Sequence, residues 1–243
     1  MAEALGWGLL AASSLVIGGV LALVRPISVR VTGLIMAFGA GVLISAVAFD
    51  LVAEAVQRAS GNTAVVAGMF AGCAVFFGGD SVIERMGGGD RKDAQGAQEA
   101  GSPLAIVLGT VLDGIPESMV IGLTIYEGGA VGAAYLIAVF ISNLPESISS
   151  SAGLVASGWR KAHILWLWVG IAAVSGLASA AGYKLFQDSS PDTVAFVLAF
   201  AGGAILTMLA DTMMPEAFEH GGRLAGVVTT VGFVVAFVIH TYD

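Results

Sequence analysis

Leu112-Asp113-Gly114-Ile115-Pro116-Glu117-Ser118 and Ile141-Ser142-Asn143-Leu144-Pro145-Glu146-Ser147 decide how this chain is read. Each lies near the middle of a long apolar segment, and each ends in Pro-Glu-Ser. A carboxylate in hydrocarbon costs ~3 kcal/mol on insertion scales and more in simulations. One such acid is open to a packing explanation. Two, each beside a proline and before a serine, point to a site inside a membrane protein.

Composition supports that setting. Of 243 residues, 57% are hydrophobic and 12% charged, with mean hydropathy +0.90. A soluble domain carries roughly 25% charged residues. The 34 glycines suit closely approaching transmembrane helices. A net charge of −8 leaves no basic face for nucleic acid. The single cysteine, Cys73, excludes an intramolecular disulfide and a thiolate cluster. Residues 4–24 are apolar, but Glu3 stands where a signal peptide has its positive n-region, so the segment reads as a retained first helix.

Segments able to cross ~30 Å of hydrocarbon fall at roughly 4–24, 29–57, 61–83, 102–125, 129–154, 162–186, 191–218 and 222–241. The long polar connection, 84–101, reads as a flexible cytoplasmic loop, and residues 1–243 as a single transmembrane domain. Connections after helices 1, 3, 5 and 7 hold Arg25, Arg30, Arg85, Arg91, Lys92, Arg160, Lys161 and Arg223. Arg58 and Lys184 lie on the other side. The positive-inside rule therefore places both termini outside, in what we expect to be the plasma membrane.

Residues 34–55 (LIMAFGAGVLISAVAFDLVAEA) align without gaps to 196–217 (FVLAFAGGAILTMLADTMMPEA), with six identities that include Glu54/Glu216. Helix 2 runs outward and helix 7 inward, so the copies are opposed. Inverted repeats of this kind are frequent in secondary transporters. The expected fold is an all-α integral membrane protein of eight transmembrane helices, with helices 1–3 and 6–8 as an inverted repeat around helices 4–5.

Asp113 and Glu117 lie 11 and 15 residues into helix 4, and Asn143 and Glu146 lie 14 and 17 residues into the opposed helix 5. All four reach similar depth. Pro116 cannot donate to the carbonyl of Leu112, nor Pro145 to that of Ile141. A freed carbonyl in a membrane needs a partner, and a cation or water serves. The span interiors hold almost no lysine or arginine, so protonation or a bound cation accounts for these acids better than ion pairing. Carboxylates, an amide and carbonyls form an oxygen cage suited to hard or borderline divalent cations. Ser118 and Ser147 either add hydroxyls or pack.

Asp50 and Glu54 lie near the outer end of helix 2, and Asp211 and Glu216 near the inner end of helix 7. They mark either a cation's entrance and exit or polar helix ends meeting water. His163, His220 and His240 read as interfacial residues. Trp7, Trp159, Trp166 and Trp168 read mostly as interfacial anchors, and the methionines as core.

These residues resemble the ZIP (Zrt/Irt-like) divalent-metal transporters over essentially the whole chain. Asp113-Gly114-Ile115-Pro116-Glu117 and Ser142-Asn143-Leu144-Pro145-Glu146 stand where that family has His-Asn-x-Pro-Glu and (His/Gln)-(Asn/Asp)-x-Pro-Glu. Asp211-Thr212-Met213-Met214-Pro215-Glu216 with His220-Gly221-Gly222 is similar to its helix-7 segment. The resemblance implies a metal site of Asp113, Glu117, Ser142, Asn143 and Glu146, helices 1, 4, 5 and 6 moving against a scaffold of 2, 3, 7 and 8, and a homodimer. Asp113 replaces the family's histidine, Gly114 an asparagine, and Ser142 a His or Gln. Helix 6 has no acid, Ser175 being its nearest polar candidate. Loss of imidazole tilts the site toward harder ions or weaker zinc binding and counts against a second metal.

The resulting expectation is a carrier moving a divalent cation (zinc, manganese, iron, cadmium or cobalt) toward the cytoplasm, with the cation as cargo and no prosthetic group. A proton-linked or non-metal carrier on the same fold, or a metal-binding membrane protein without flux, are the alternatives. With no HExxH, no GxSxG and no histidine at midplane depth, a membrane hydrolase has nothing to stand on.

Overall fold

A computed structural model describes residues 1–25, 27–88, 103–126 and 133–242. The loop expected over 84–101 lies outside the described residues from 89 onward; its start, Glu84–Gly88, continues the third helix in a wide turn that leaves helical geometry at Gly87 (φ 88).

Among the described residues, eight helices follow in order: α1 (Ala2–Val24), α2 (Val29–Arg58), α3 (Asn62–Ile83), α4 (Pro103–Tyr126), α5 (Ala133–Ala156), α6 (Lys161–Leu185), α7 (Pro191–Gly221) and α8 (Leu224–Tyr242). No strand forms among the described residues. Local signals set several ends. Ser28 and Ser190 cap α2 and α7 through hydroxyls that accept from Val31 and Thr193, and Pro191 occupies the first turn of α7. Gly222 ends α7 at φ 63, a backbone angle that favours glycine.

Seven of these helices are long and apolar enough to cross a membrane. The eighth, α5, has the length, but Ser142, Asn143, Glu146 and the buried run Ser149-Ser150-Ser151 dilute its apolarity. Its polar groups face protein, which is the arrangement hydrocarbon demands.

Packing divides the helices into two groups. In one, α6 packs along α1 and α4, and α1 along α5; in the other, α7 packs along α3, and α2 along α8 and α7. The main seam between groups is α2 against α5, supported by α4 against α7. Glycines allow the closest approaches. A Cβ on Gly41 would strike the Thr229 carbonyl, one on Gly72 the Phe200 carbonyl, and one on Gly122 the Ser179 carbonyl. In a bilayer such contact replaces the hydrophobic effect as the force joining helices.

Polar ties define the two ends. Ser179 Oγ donates to the Ala4 carbonyl and Lys161 Nζ to the Leu23 carbonyl, each at 2.7 Å, so α1 and α6 are antiparallel. The Ser60 amide donates to Asp192 Oδ1 at 2.7 Å, joining the end of α2 to the start of α7.

Both α2 and α7 contain a π-helical turn, at Val47–Val52 and Leu209–Met213. Val47 and Leu209 occupy equivalent positions in the 34–55/196–217 alignment. Pro215 follows the turn in α7; the equivalent residue in α2 is Ala53, so the turn there forms without proline.

One tryptophan expectation is corrected. Trp168 is fully buried, not interfacial: its ring fills the space beside Gly19, and Nε1 donates to Ser151 Oγ at 2.8 Å. Trp166 is exposed on the bundle surface, as an anchor would be.

Candidate cation site

α4 and α5 carry Pro116 and Pro145 in their interiors. Each proline removes one backbone donor beside the glutamate that follows it. Glu117 and Glu146 come together at a cavity of about 10 Å³ between the two helix groups. That is close to the smallest volume that holds one water. Ser142 and Pro145 of α5 complete the near wall, while Met36 of α2 and Met208 and Met213 of α7 form the far one. Glu117 is 2% exposed and Glu146 8%.

The surrounding polar groups are held in place by hydrogen bonds. Ser142 Oγ donates to the Val139 carbonyl at 3.0 Å, leaving its lone pairs to accept. Tyr135, buried near the start of α5, donates to the main-chain carbonyl of Glu117 at 3.2 Å. Gly39 of α2 lies against α5 here: a Cβ on it would sit 3.3 Å from Ser142 Cα and 3.6 Å from the Ile141 carbonyl, the one Pro145 frees.

Asp113 and Asn143 are buried beside this cavity's helices, but neither belongs to its wall. Gly114 faces α6, where an added Cβ would lie 3.5 Å from Ser175 Oγ. Ser147 packs: it donates to the Leu144 carbonyl at 3.0 Å and abuts Gly18 of α1. Among the described residues, no three of the His, Cys, Asp and Glu side chains converge as a metal-binding group. The convergent set is two carboxylates and a hydroxyl, with thioethers opposite.

The other acids singled out by the sequence lie in the π turns of α2 and α7 or within one turn after them. Asp50 meets His240 Nδ1 at 2.6 Å, with the histidine stacked on Phe49. Glu54 pairs with Arg58 at 2.5 Å, and Glu216 with His220 at 3.0 Å. Glu54 and Glu216 are equivalent in the aligned segments, and so are Arg58 and His220 one turn further on. Asp211 is exposed within the π turn of α7. None of these four acids reaches the cavity.

A cleft of about 220 Å³ opens between α1, α5 and the start of α2, lined by Ile27, Thr32, Ser149 and Ala152 among others. It lies toward the end of the bundle marked by Leu23 and Lys161.

Sequence reading passed over Asp80, a buried carboxylate in α3. Its signal was available, an acid inside an apolar span, but it carries no flanking proline or repeated motif. Tyr135 and the methionines gave no signal, because nothing local distinguishes them from core. No family model and no curated protein matches the chain.

Proposed function

We propose that this protein is a ZIP-like secondary carrier that moves a divalent metal cation across the membrane toward the cytoplasm. The observation that carries the reading is the meeting of Glu117 and Glu146, from two proline-interrupted helices, on one small buried cavity between two helix groups. Two carboxylates on one cavity neutralise a divalent charge, and the cavity is about the size of one water. Asp113 and Asn143, one turn away or less along the same helices, stand as ligands for another stage of the cycle.

Alternating access supplies the transport mechanism. In this reading α1, α4, α5 and α6 carry the site past the scaffold of α2, α3, α7 and α8, sliding at the α2–α5 seam. The inverted repeat is supported by the matched π turns and by the matched pairs Glu54–Arg58 and Glu216–His220. The cleft beside Ser149 is the release path, and the eight-to-two distribution of basic residues supports a cytoplasmic position for that end.

Reconstitution into proteoliposomes tests this. Wild type takes up manganese or cadmium, and Glu117→Gln and Glu146→Gln, each isosteric, lose at least roughly a hundredfold of that uptake, the scale of losing a charged ligand (about 3 kcal/mol). Uptake that survives both changes refutes the site. Proton flux without stoichiometric metal on the purified protein replaces the metal carrier with a proton-linked one.

A further inference from the structure

Three of the chain's eight methionines meet at a cavity that holds both glutamates. From this we infer that Met36, Met208 and Met213 are thioether ligands, and that the cavity selects a borderline-to-soft divalent cation over a hard one. The inference rests on the carrier reading and names the class of its cargo.

The π turn in α7 is the device that gathers the sulfurs. Met208 and Met213 are five residues apart. In an uninterrupted α-helix they would point roughly 140° away from each other. The turn over Leu209–Met213 is closed by wide bonds, with the Met214 amide donating to the Leu209 carbonyl. Such a turn returns residues five apart toward one face. Both methionines accordingly line the same cavity, at 3% and 4% exposure.

Neighbouring backbone holds Met213 in position. A Cβ on Gly39 would lie 3.0 Å from the Met213 methyl and 3.3 Å from Ser142 Cα. Glycine at 39 thus leaves the gap that the thioether fills, directly opposite the serine of the glutamate helix. Met36, one turn earlier on α2, adds the third sulfur to the wall.

The donor set argues against a hard ion. Calcium takes about six to eight oxygens, and magnesium keeps several of its waters. A cavity of about 10 Å³ has no space for a hydration shell. Among the described residues, its side-chain oxygens come from Glu117, Glu146 and Ser142, and the opposite face is sulfur. Soft thioethers favour soft metals. The tilt toward hard ions that the missing histidine implies is offset from the other side of the cavity by groups on α2 and α7.

Methionine also fills irregular gaps in cores, and leucine separates the two roles because it keeps the volume and removes the sulfur. The test uses the full chain with Cys73→Ala, which removes the one other side-chain sulfur outside methionine. Proteoliposomes are given cadmium and manganese in competition. Wild type favours cadmium; in Met208→Leu/Met213→Leu the cadmium-to-manganese uptake ratio falls by at least the roughly tenfold seen for changes around metal sites. An unchanged cadmium-to-manganese ratio in a variant that still transports overturns the inference and leaves the carrier standing. X-ray absorption on cadmium-loaded protein with native methionines is independent of the variants' folding. A sulfur scatterer supports the assignment, and a shell of oxygen alone overturns it. Protein that neither binds nor moves either metal overturns the carrier reading and this inference with it.

Discussion

The hydroxyl of Tyr135 donates to the backbone carbonyl of Glu117 at 3.2 Å, tying the first turns of α5 to the middle of α4. Glu117 belongs to one side of the cavity and Glu146, three turns beyond Tyr135, to the same side. The bond therefore holds two helices in the register that brings their carboxylates together. Tyr135→Phe removes only the hydroxyl, and one such bond is worth about 1 kcal/mol. We expect the KM for metal uptake to rise about fivefold with kcat and thermal midpoint nearly unchanged. A fall in thermal midpoint with an unchanged KM would reduce Tyr135 to a packing residue.

Gly41 touches the Thr229 carbonyl so closely that a side chain has no room. The obstruction is backbone, which cannot rotate away. Gly41→Ala is expected to separate α2 from α8 and to cost about 1–3 kcal/mol, the usual penalty of overpacking. Gly6 has open space around it, so Gly6→Ala serves as the control and should leave detergent-state thermal unfolding unmoved.

The equivalent pairs at the two ends differ in burial. Arg58 and Glu54 have side chains 31% and 36% exposed, whereas the His220 side chain is 2% exposed. Exposed ion pairs contribute about 0–1 kcal/mol. Arg58→Ala is therefore expected to change stability little. His220→Ala removes a buried ring that touches Glu216 and is expected to cost about 1–3 kcal/mol. Equal thermal shifts for the two variants would contradict the difference in burial.

Much of the architecture was legible because membrane insertion is a local property. Spans predicted at 61–83 and 191–218 meet helices beginning at Asn62 and Pro191, since hydropathy and Pro or Ser signals act within a few residues. Glu117 and Glu146 stood out for a similar reason: an acid in hydrocarbon is conspicuous without any partner being known. Trp168 was misread because an interfacial ring and a buried ring look alike in sequence. The pairing of Asp50 with His240, 190 residues apart, has no local trace either.

By itself, then, the order of residues determined that the chain forms helices apolar enough to cross a membrane and that two of them carry acids inside their apolar stretches. Which polar residues face one another was decided by tertiary structure alone. Lipid tails and helix surfaces are equally apolar, so hydropathy does not distinguish a side chain facing lipid from one facing another helix. The π turn that swings Met213 beside Met208, and the glycine contacts that bring α2 to α5 opposite Glu146, exist only once the helices have packed.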